Sequence, residues 1–271
     1  MFEIRGLLPS EINLLENLPP KEWNMNLPEI VVLHYGHPYY YPIAALVDNK
    51  IVGFGNGILN NKVGWIGNIL VTPENRRQGI GHGLTTHLVE YFKSKGCISQ
   101  LLIASEMGKN IYARIGFQIS STYSVYQLEK EAKNYKPAAG LRKIKNEDYP
   151  VIRKLDEKVT GEERYHLVER FFATGFVYES AESKEVHGFY LPDLGNGFIV
   201  ATSPEAGLEL LKYRINEGKT TVTVPSENIH GLEFLEKEGF LFRRILPRMV
   251  LGDKLNWKPD FIFNRGSGYF G

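Results

Sequence analysis

Trp65-Ile-Gly-Asn-Ile-Leu-Val-Thr-Pro-Glu-Asn-Arg-Arg-Gln-Gly-Ile-Gly-His-Gly-Leu84, with the amphipathic run that continues to Lys95, decides the fold. Ile66, Ile69, Leu70 and Val71 predict a buried strand, and Pro73 stops it. From Gly79 the spacing becomes helical, with Ile80, Leu84, Leu88 and Tyr91 on one face. Gly96 stands where a glycine would end that helix. The stretch reads as strand, tight turn, helix.

The turn carries the chemistry. Gly79, Gly81 and Gly83 leave the backbone bare where the helix begins. The first N–H groups of a helix lack intrahelical partners, and the macrodipole is positive there, so a pyrophosphate fits. Arg76 and Arg77 add formal charge. Glycine in a helix costs roughly 1 kcal/mol against alanine, and close approach of a ligand is the natural offset. The spacing matches neither a Walker loop nor a dinucleotide loop.

Val71-Thr-Pro-Glu-Asn-Arg76-Arg77-Gln78-Gly79-Ile80-Gly81 resembles the acyl-CoA loop of the GNAT (Gcn5-related) N-acetyltransferases, Arg/Gln-x-x-Gly-x-Gly/Ala after a central strand. Tyr112-Ala-Arg-Ile-Gly116-Phe117 matches a second signature of that family, Tyr-x-x-x-Gly-Phe. The resemblance implies acetyl-CoA as co-substrate and no metal. It implies that Arg76, Arg77, Gln78, Gly79, Ile80, Gly81, His82 and Gly83 surround the diphosphate. It also implies that the backbone of Ile69, Leu70 and Val71 pairs with the pantetheine arm. Tyr112 would stand near the sulfur and return a proton to the leaving thiolate. Ser105 occupies the place where many members carry an asparagine that contacts the arm.

The general base is open. Trp65–Val71 contains no acid, and its one polar candidate, Asn68, can orient a substrate or a water. Glu106, His34 and His37 are the other candidates. His34 and His37 lie in an aromatic loop that also holds Tyr39, Tyr40 and Tyr41. In GNAT proteins the segment before the second strand commonly walls the acceptor site, which makes Tyr39 and Tyr40 candidate substrate contacts.

Around this centre the sequence predicts a first strand at Phe2–Leu7, a helix from Ser10 to Leu18, and a second helix over Glu22–Tyr35. Strands follow at Ile43–Val47, Ile51–Leu59, Val63–Val71 and Ile98–Ala104. A helix at Met107–Ile115 and a strand at Tyr123–Leu128 close the first half. Residues 131–140 read as a linker. The pattern then begins again, with a helix from Asn146 and another over Glu163–Thr174. Strands are predicted at Phe176–Glu179, Val186–Leu191, Phe198–Thr202 and Thr220–Val224, and helices at Glu205–Asn216 and Asn228–Lys237. Gly239-Phe240 mirrors Gly116-Phe117. This second copy lacks the loop: Ser203-Pro-Glu-Ala-Gly207 brings no arginine, and Leu235 stands in the tyrosine's place. The expected fold is α/β (α+β): tandem GNAT folds, each a mixed, mostly antiparallel sheet flanked by helices. Residues 1–130 form the acyl-CoA domain, and residues 141–271 a divergent copy that includes Asp156, Gly161, Arg164 and Arg248-Met249. The aromatic tail from Phe261 would fold back on the second sheet or help to close the acceptor cleft.

Length suits two domains. Lys+Arg of 32 against Asp+Glu of 31, without a polybasic block, argues against nucleic acid and anionic membrane as partners. The N-terminus is not a signal peptide, no apolar run spans a bilayer, and Cys97 has no disulfide partner, so a cytoplasmic setting is expected. Together these readings predict an acyl-CoA-dependent N-acyltransferase acting on the primary amine of a small molecule. A non-catalytic acyl-CoA binding module and a protein lysine or N-terminal acetyltransferase are the alternatives. Oligomeric state stays open.

Overall fold

The computed structural model describes residues 1–23, 25–130 and 133–271. Position 24 of the expected second helix and positions 131–132 of the expected linker lie outside the described residues. Packing divides the chain into two compact units. One holds residues 1–118, 249–253 and 268–270, and the other residues 119–248, 254–267 and 271.

The first unit contains β1 (Glu3–Gly6), α1 (Leu27–His34), β2 (Tyr40–Val47), β3 (Lys50–Asn60), β4 (Val63–Val71), α2 (Ile80–Ser94), β5 (Ser99–Ile103) and α3 (Lys109–Ile115). Its strands lie in the order β1-β2-β3-β4-β5. All neighbours are antiparallel except β4 and β5, which are parallel. Beyond β5, Asp253 N–H donates to Ile98 O (2.9 Å). The expected helix from Ser10 is instead a 3-10 helix, Pro9–Asn17, with Ser10 inside it. Pro9 opens that turn, and the Glu11 carboxylate reaches back to the Leu8 N–H (2.9 Å), so no serine cap is needed. The second helix splits into a 3-10 turn, Lys21–Trp23, and α1, where the Asn26 side chain caps the Glu29 N–H.

Helix α2 lays Ile80, Leu84, Leu88, Val89 and Phe92 against the sheet. The expected fourth contact, Tyr91, is only half-buried and stacks on Tyr41, with centroids 3.9 Å apart, while Phe92 takes the core position. Gly57 and Gly64 make room for the Phe92 ring: a Cβ at either would lie 2.7 or 2.4 Å from it.

The second unit contains β6 (Gln118–Gln127, from Ile119 onward), β7 (Leu141–Lys143), α4 (Tyr149–Thr160), α5 (Tyr165–Val168), β8 (Phe176–Glu179), β9 (Val186–Leu191) and β10 (Phe198–Ala201). It continues with α6 (Pro204–Asn216), β11 (Thr221–Pro225), α7 (Ile229–Lys237), most of β12 (Leu241–Gly252) and β13 (Ile262–Asn264). Five strands run in the order β13-β10-β9-β8-β7. β6 pairs antiparallel with β11, Tyr123 facing Pro225 and Gln127 facing Thr221. Ile119–Gln127 therefore belongs to this unit, although the boundary expected from the sequence lay at residue 130. The ladder to β11 ties the strand here, across a long sequence gap that no local pattern encodes.

β13 hydrogen-bonds to the free side of β10, with Ile199 opposite Asn264 and Val200 opposite Ile262. Its Phe263 ring fills the space against the first turn of α6, where a Cβ on Gly207 would come within 2.2 Å. Ser203 caps that helix by accepting from the Ala206 N–H (3.2 Å), and Glu205 accepts from the Tyr178 hydroxyl (2.6 Å). The Asp156–Gly161–Arg164 pattern is a buried clasp. Gly161, at φ +71, ends α4, and Arg164 returns to grip both Asp156 carboxylate oxygens at 2.9 Å.

Candidate functional site

The site in the first unit starts from a flaw in the central strand. β4 pairs with β5 only through Val63–Trp65, so its further half diverges from that neighbour. On the other side Phe54 faces Leu70 and Asn56 faces Gly67, which sets two residues, Asn68 and Ile69, against Gly55 alone. That is a β-bulge, and Asn68 adopts φ +52 within it. The Asn68 amide donates to the Asn56 side-chain oxygen at 2.7 Å. Asn56 is fully buried, and its own amide nitrogen has no acceptor among the described residues. The bulge lies immediately before Leu70 and Val71, along the edge that the diverging β5 leaves open.

The loop follows. A 3-10 turn, Pro73–Asn75, reverses the chain. Arg76 donates to Val71 O (3.1 Å) and Gln78 to Glu74 O (3.2 Å), both from exposed side chains that brace the turn. Arg77 and Gly79 both sit at positive φ, +62 and +83. The first bond of α2 runs from Gly83 N–H to Gly79 O (2.9 Å), so the N–H groups of Ile80, Gly81 and His82 point outward without helical acceptors. Nothing lies within 4 Å of the place a Gly79 Cβ would take. Ile80 turns its side chain into the core and His82 is exposed, which leaves their backbones to face the site. Gly83 has a different use: a Cβ there would meet Phe2 at 2.9 Å and Ile4 at 3.1 Å, so its bareness lets α2 pack on β1.

Gly81 is where the parts converge. The closest side chains to its Cβ position are Ile111, Ile69 and Val71, at 3.7, 3.9 and 3.9 Å. The helix start, the open strand edge and α3 thus meet at one point, and Tyr112 is the residue after Ile111. Tyr112 is buried, and its ring covers Gly108, where a Cβ would stand 2.7 Å from it. Burial pushes the Tyr112 phenol up to about 12, so it keeps its proton throughout the physiological range. Gly116, at φ +110, then turns the chain into Phe117, which packs edge-on against Tyr112. Ser105 spends its hydroxyl on the turn before α3, accepting from Gly108 N–H at 3.2 Å.

The aromatic loop, expected from the resemblance to wall an acceptor, packs around His34. His34 is fully buried, with Nδ1 3.2 Å from the Tyr39 hydroxyl and Nε2 3.3 Å from the Tyr269 hydroxyl. The Tyr40 ring lies 5.3 Å from His34, and its buried hydroxyl has no partner among the described residues. Burial, then the neighbouring Tyr269 and Tyr39, hold the Tyr40 phenol well above its usual value. His37 stacks on Tyr39 at 5.2 Å.

Sequence reasoning missed Tyr269 and Gly67. Gly268–Phe270 joins the first unit, and Tyr269 sits on Gly67 so closely that a Cβ there would come within 2.0 Å of the tyrosine's own Cβ. The aromatic tail and the glycine were both visible in the sequence. Their meeting was not.

The exposed N–H groups of α2, the empty space at Gly79 and the open edge of Leu70–Val71 fit a diphosphate with an extended arm. Residues 9–117 match the family model for acetyltransferases of the GNAT family. No curated protein sequence is significantly similar to the chain. Among solved structures, a candidate acetyltransferase of Pyrococcus horikoshii shares 22% identity and a TM-score of 0.84, over 100% of this chain and 96% of that one. A GCN5-related N-acetyltransferase from Sphaerobacter thermophilus shares 13% identity at a TM-score of 0.63, over 95% and 98% of the two chains. A tandem GNAT protein from the clavulanic acid biosynthesis pathway does so at 13% and 0.63, over 93% and 98%. Over its whole length the chain therefore shares the fold of these two-domain proteins, and its residues 9–117 match the GNAT acetyltransferase family.

Proposed function

We propose that the chain transfers the acetyl group of acetyl-CoA to the primary amine of a small molecule by direct attack. The observation that supports this reading is the convergence of α2, β4 and α3 on Gly81, where a helix start with free N–H groups and an open strand edge meet the helix that carries Tyr112.

Acetyl-CoA supplies an acetyl group already activated as a thioester. The N–H groups of Ile80, Gly81 and His82 bind its diphosphate, with Arg76 and Arg77 adding charge. The backbone of Ile69, Leu70 and Val71 aligns the arm. As the C–N bond forms and the C–S bond breaks, Tyr112, protonated because it is buried, gives its proton to the leaving sulfur and is reprotonated by the proton that the acylated nitrogen sheds, directly or through water. Asn68, fixed by Asn56, orients the amine or a water beside it. The acceptor side is neutral and aromatic: Tyr39, Tyr40, His34 and Tyr269 surround it with hydroxyl and imidazole groups. Such a lining suits an amine that arrives uncharged.

The test is calorimetric titration of acetyl-CoA into the wild type and a Gly79→Glu variant, followed by thiol release over a panel of small amines. The substitution sets a carboxylate at a positive-φ position facing the diphosphate, and affinity should fall at least about tenfold. Equal affinities would sink the loop assignment. Tight binding without turnover on any amine would favour the non-catalytic binding module, a reading supported by the lack of a carboxylate at the bulge.

A further inference from the structure

The second unit buries a cationic cluster that acyl transfer does not use. Arg164 is paired with Asp156. Arg248 lies 4.2 Å over the Trp257 ring and donates to Ser120 Oγ at 3.1 Å. Arg265 differs from both. It follows β13 directly, and its backbone N–H is fixed to Thr223 O at 2.7 Å. Its guanidinium lies 5.4 Å over the Tyr123 ring, and its Nε is buried without an acceptor among the described residues. The groups that act on its charge are Tyr123 and a like-charged Arg244; no carboxylate is among them.

Tyr123 is equally unusual. It is 1% exposed and stands in the field of three guanidinium groups, Arg248, Arg265 and Arg164, and of one carboxylate, Glu162. Its ring is 6.0 Å from Trp257. A desolvated guanidinium needs a counter-charge or full hydrogen bonding, and an aromatic face replaces only part of what water supplied. A phenol O–H among cations likewise calls for an acceptor.

We propose that Arg265 and Tyr123 form a binding site for the carboxylate of a small ligand. The planar guanidinium offers two parallel N–H donors to the two carboxylate oxygens, and the phenol O–H supplies a third. Arg248 adds positive potential from across Trp257. Burial holds the Arg265 guanidinium down to about 10, the direction expected of a cation whose counter-ion is supplied from outside. The site uses none of the residues of the α2 loop, so it stands or falls apart from the acetyl-CoA reading.

The test is thermal unfolding of the full chain in sodium acetate, acetamide, inorganic phosphate and sodium chloride, the salts at matched ionic strength. Acetate should raise the midpoint by about 3 °C at ten times its Kd. Acetamide, the neutral isostere, should not. Arg265→Gln and Tyr123→Phe should each abolish the acetate effect, and Arg244→Gln should keep it. Equal responses to acetate and acetamide overturn the proposal, and so does an acetate effect that survives Arg265→Gln. A response to phosphate with none to acetate overturns it as well. The acetate–acetamide comparison needs only the wild type, so the proposal is decided even if a variant fails to fold.

Discussion

His34 and Tyr269 are 235 residues apart in the chain and share a hydrogen bond of 3.3 Å inside the first unit. Their rings meet edge to face, with centroids 5.8 Å apart. The contact exists because Gly67 has no side chain. Gly67→Ala should destabilise the protein by about 1–3 kcal/mol, as overpacking does. Tyr269→Gly in the same chain should recover most of that loss, giving a coupling energy well above the measurement error. Urea unfolding of the two single variants and the double variant checks it. Additive effects would mean that the two positions do not touch in solution.

Tyr112→Phe removes a hydroxyl that makes no hydrogen bond within the described protein, so stability and acetyl-CoA affinity should stay near wild type. The turnover rate should fall about 10²- to 10⁴-fold, the usual worth of a placed general acid. The folded-state phenol titrates at about 12, above its ordinary 10, so the acid form persists below that value and is lost only as pH rises through it. A pH–rate profile should therefore show no alkaline fall from this group up to about pH 10, the ordinary phenol value. A limb at that value that vanishes in Tyr112→Phe would contradict the burial argument.

Asp156→Ala leaves the Arg164 guanidinium buried with its main counter-charge gone. Breaking a buried pair from one side typically costs about 3–5 kcal/mol. Chemical denaturation followed by fluorescence should show the loss. The double replacement Asp156→Leu with Arg164→Met should be milder than the single one, because both members of the ion pair are removed together.

Arg5 grips Glu11 with two hydrogen bonds, 2.9 and 2.6 Å, and holds its carboxylate below the usual range. A depressed folded-state value means that the stabilisation is complete above the unfolded value, about 4.3, and fades as pH falls through the folded one. Arg5→Gln should flatten that acid dependence and lower stability above about pH 6 by the same small amount, since a part-exposed pair contributes little. Unfolding midpoints across the acid range up to neutrality measure it. An unchanged acid limb would mean that other carboxylates control it.

The elements around the loop were legible because their signals are local. The apolar run of β4, the glycines at the α2 start and Tyr112 before Gly116 each declare themselves within a few residues. Phe176–Glu179 and Val186–Leu191 begin and end where the sequence set them, since turn residues flank both. Other readings gave way to longer-range forces. Ser10 does not cap, because Pro9 starts the 3-10 helix one residue earlier and puts Ser10 inside it. Tyr91 yields the core to Phe92, because Gly57 and Gly64 open space for that ring alone.

From its order of residues alone, the chain determined a glycine-rich turn into a helix, the strand before it, a tyrosine four residues ahead of Gly116-Phe117, and a second half without that turn. Those depend on backbone propensity and on motifs a few residues long. Only the tertiary structure decided that Ile119–Gln127 pairs with β11, that β13 lies against β10, and that Tyr269 rests on Gly67 beside His34. Hydrogen-bond ladders and side-chain packing between distant segments set those meetings, and no stretch of sequence contains both partners.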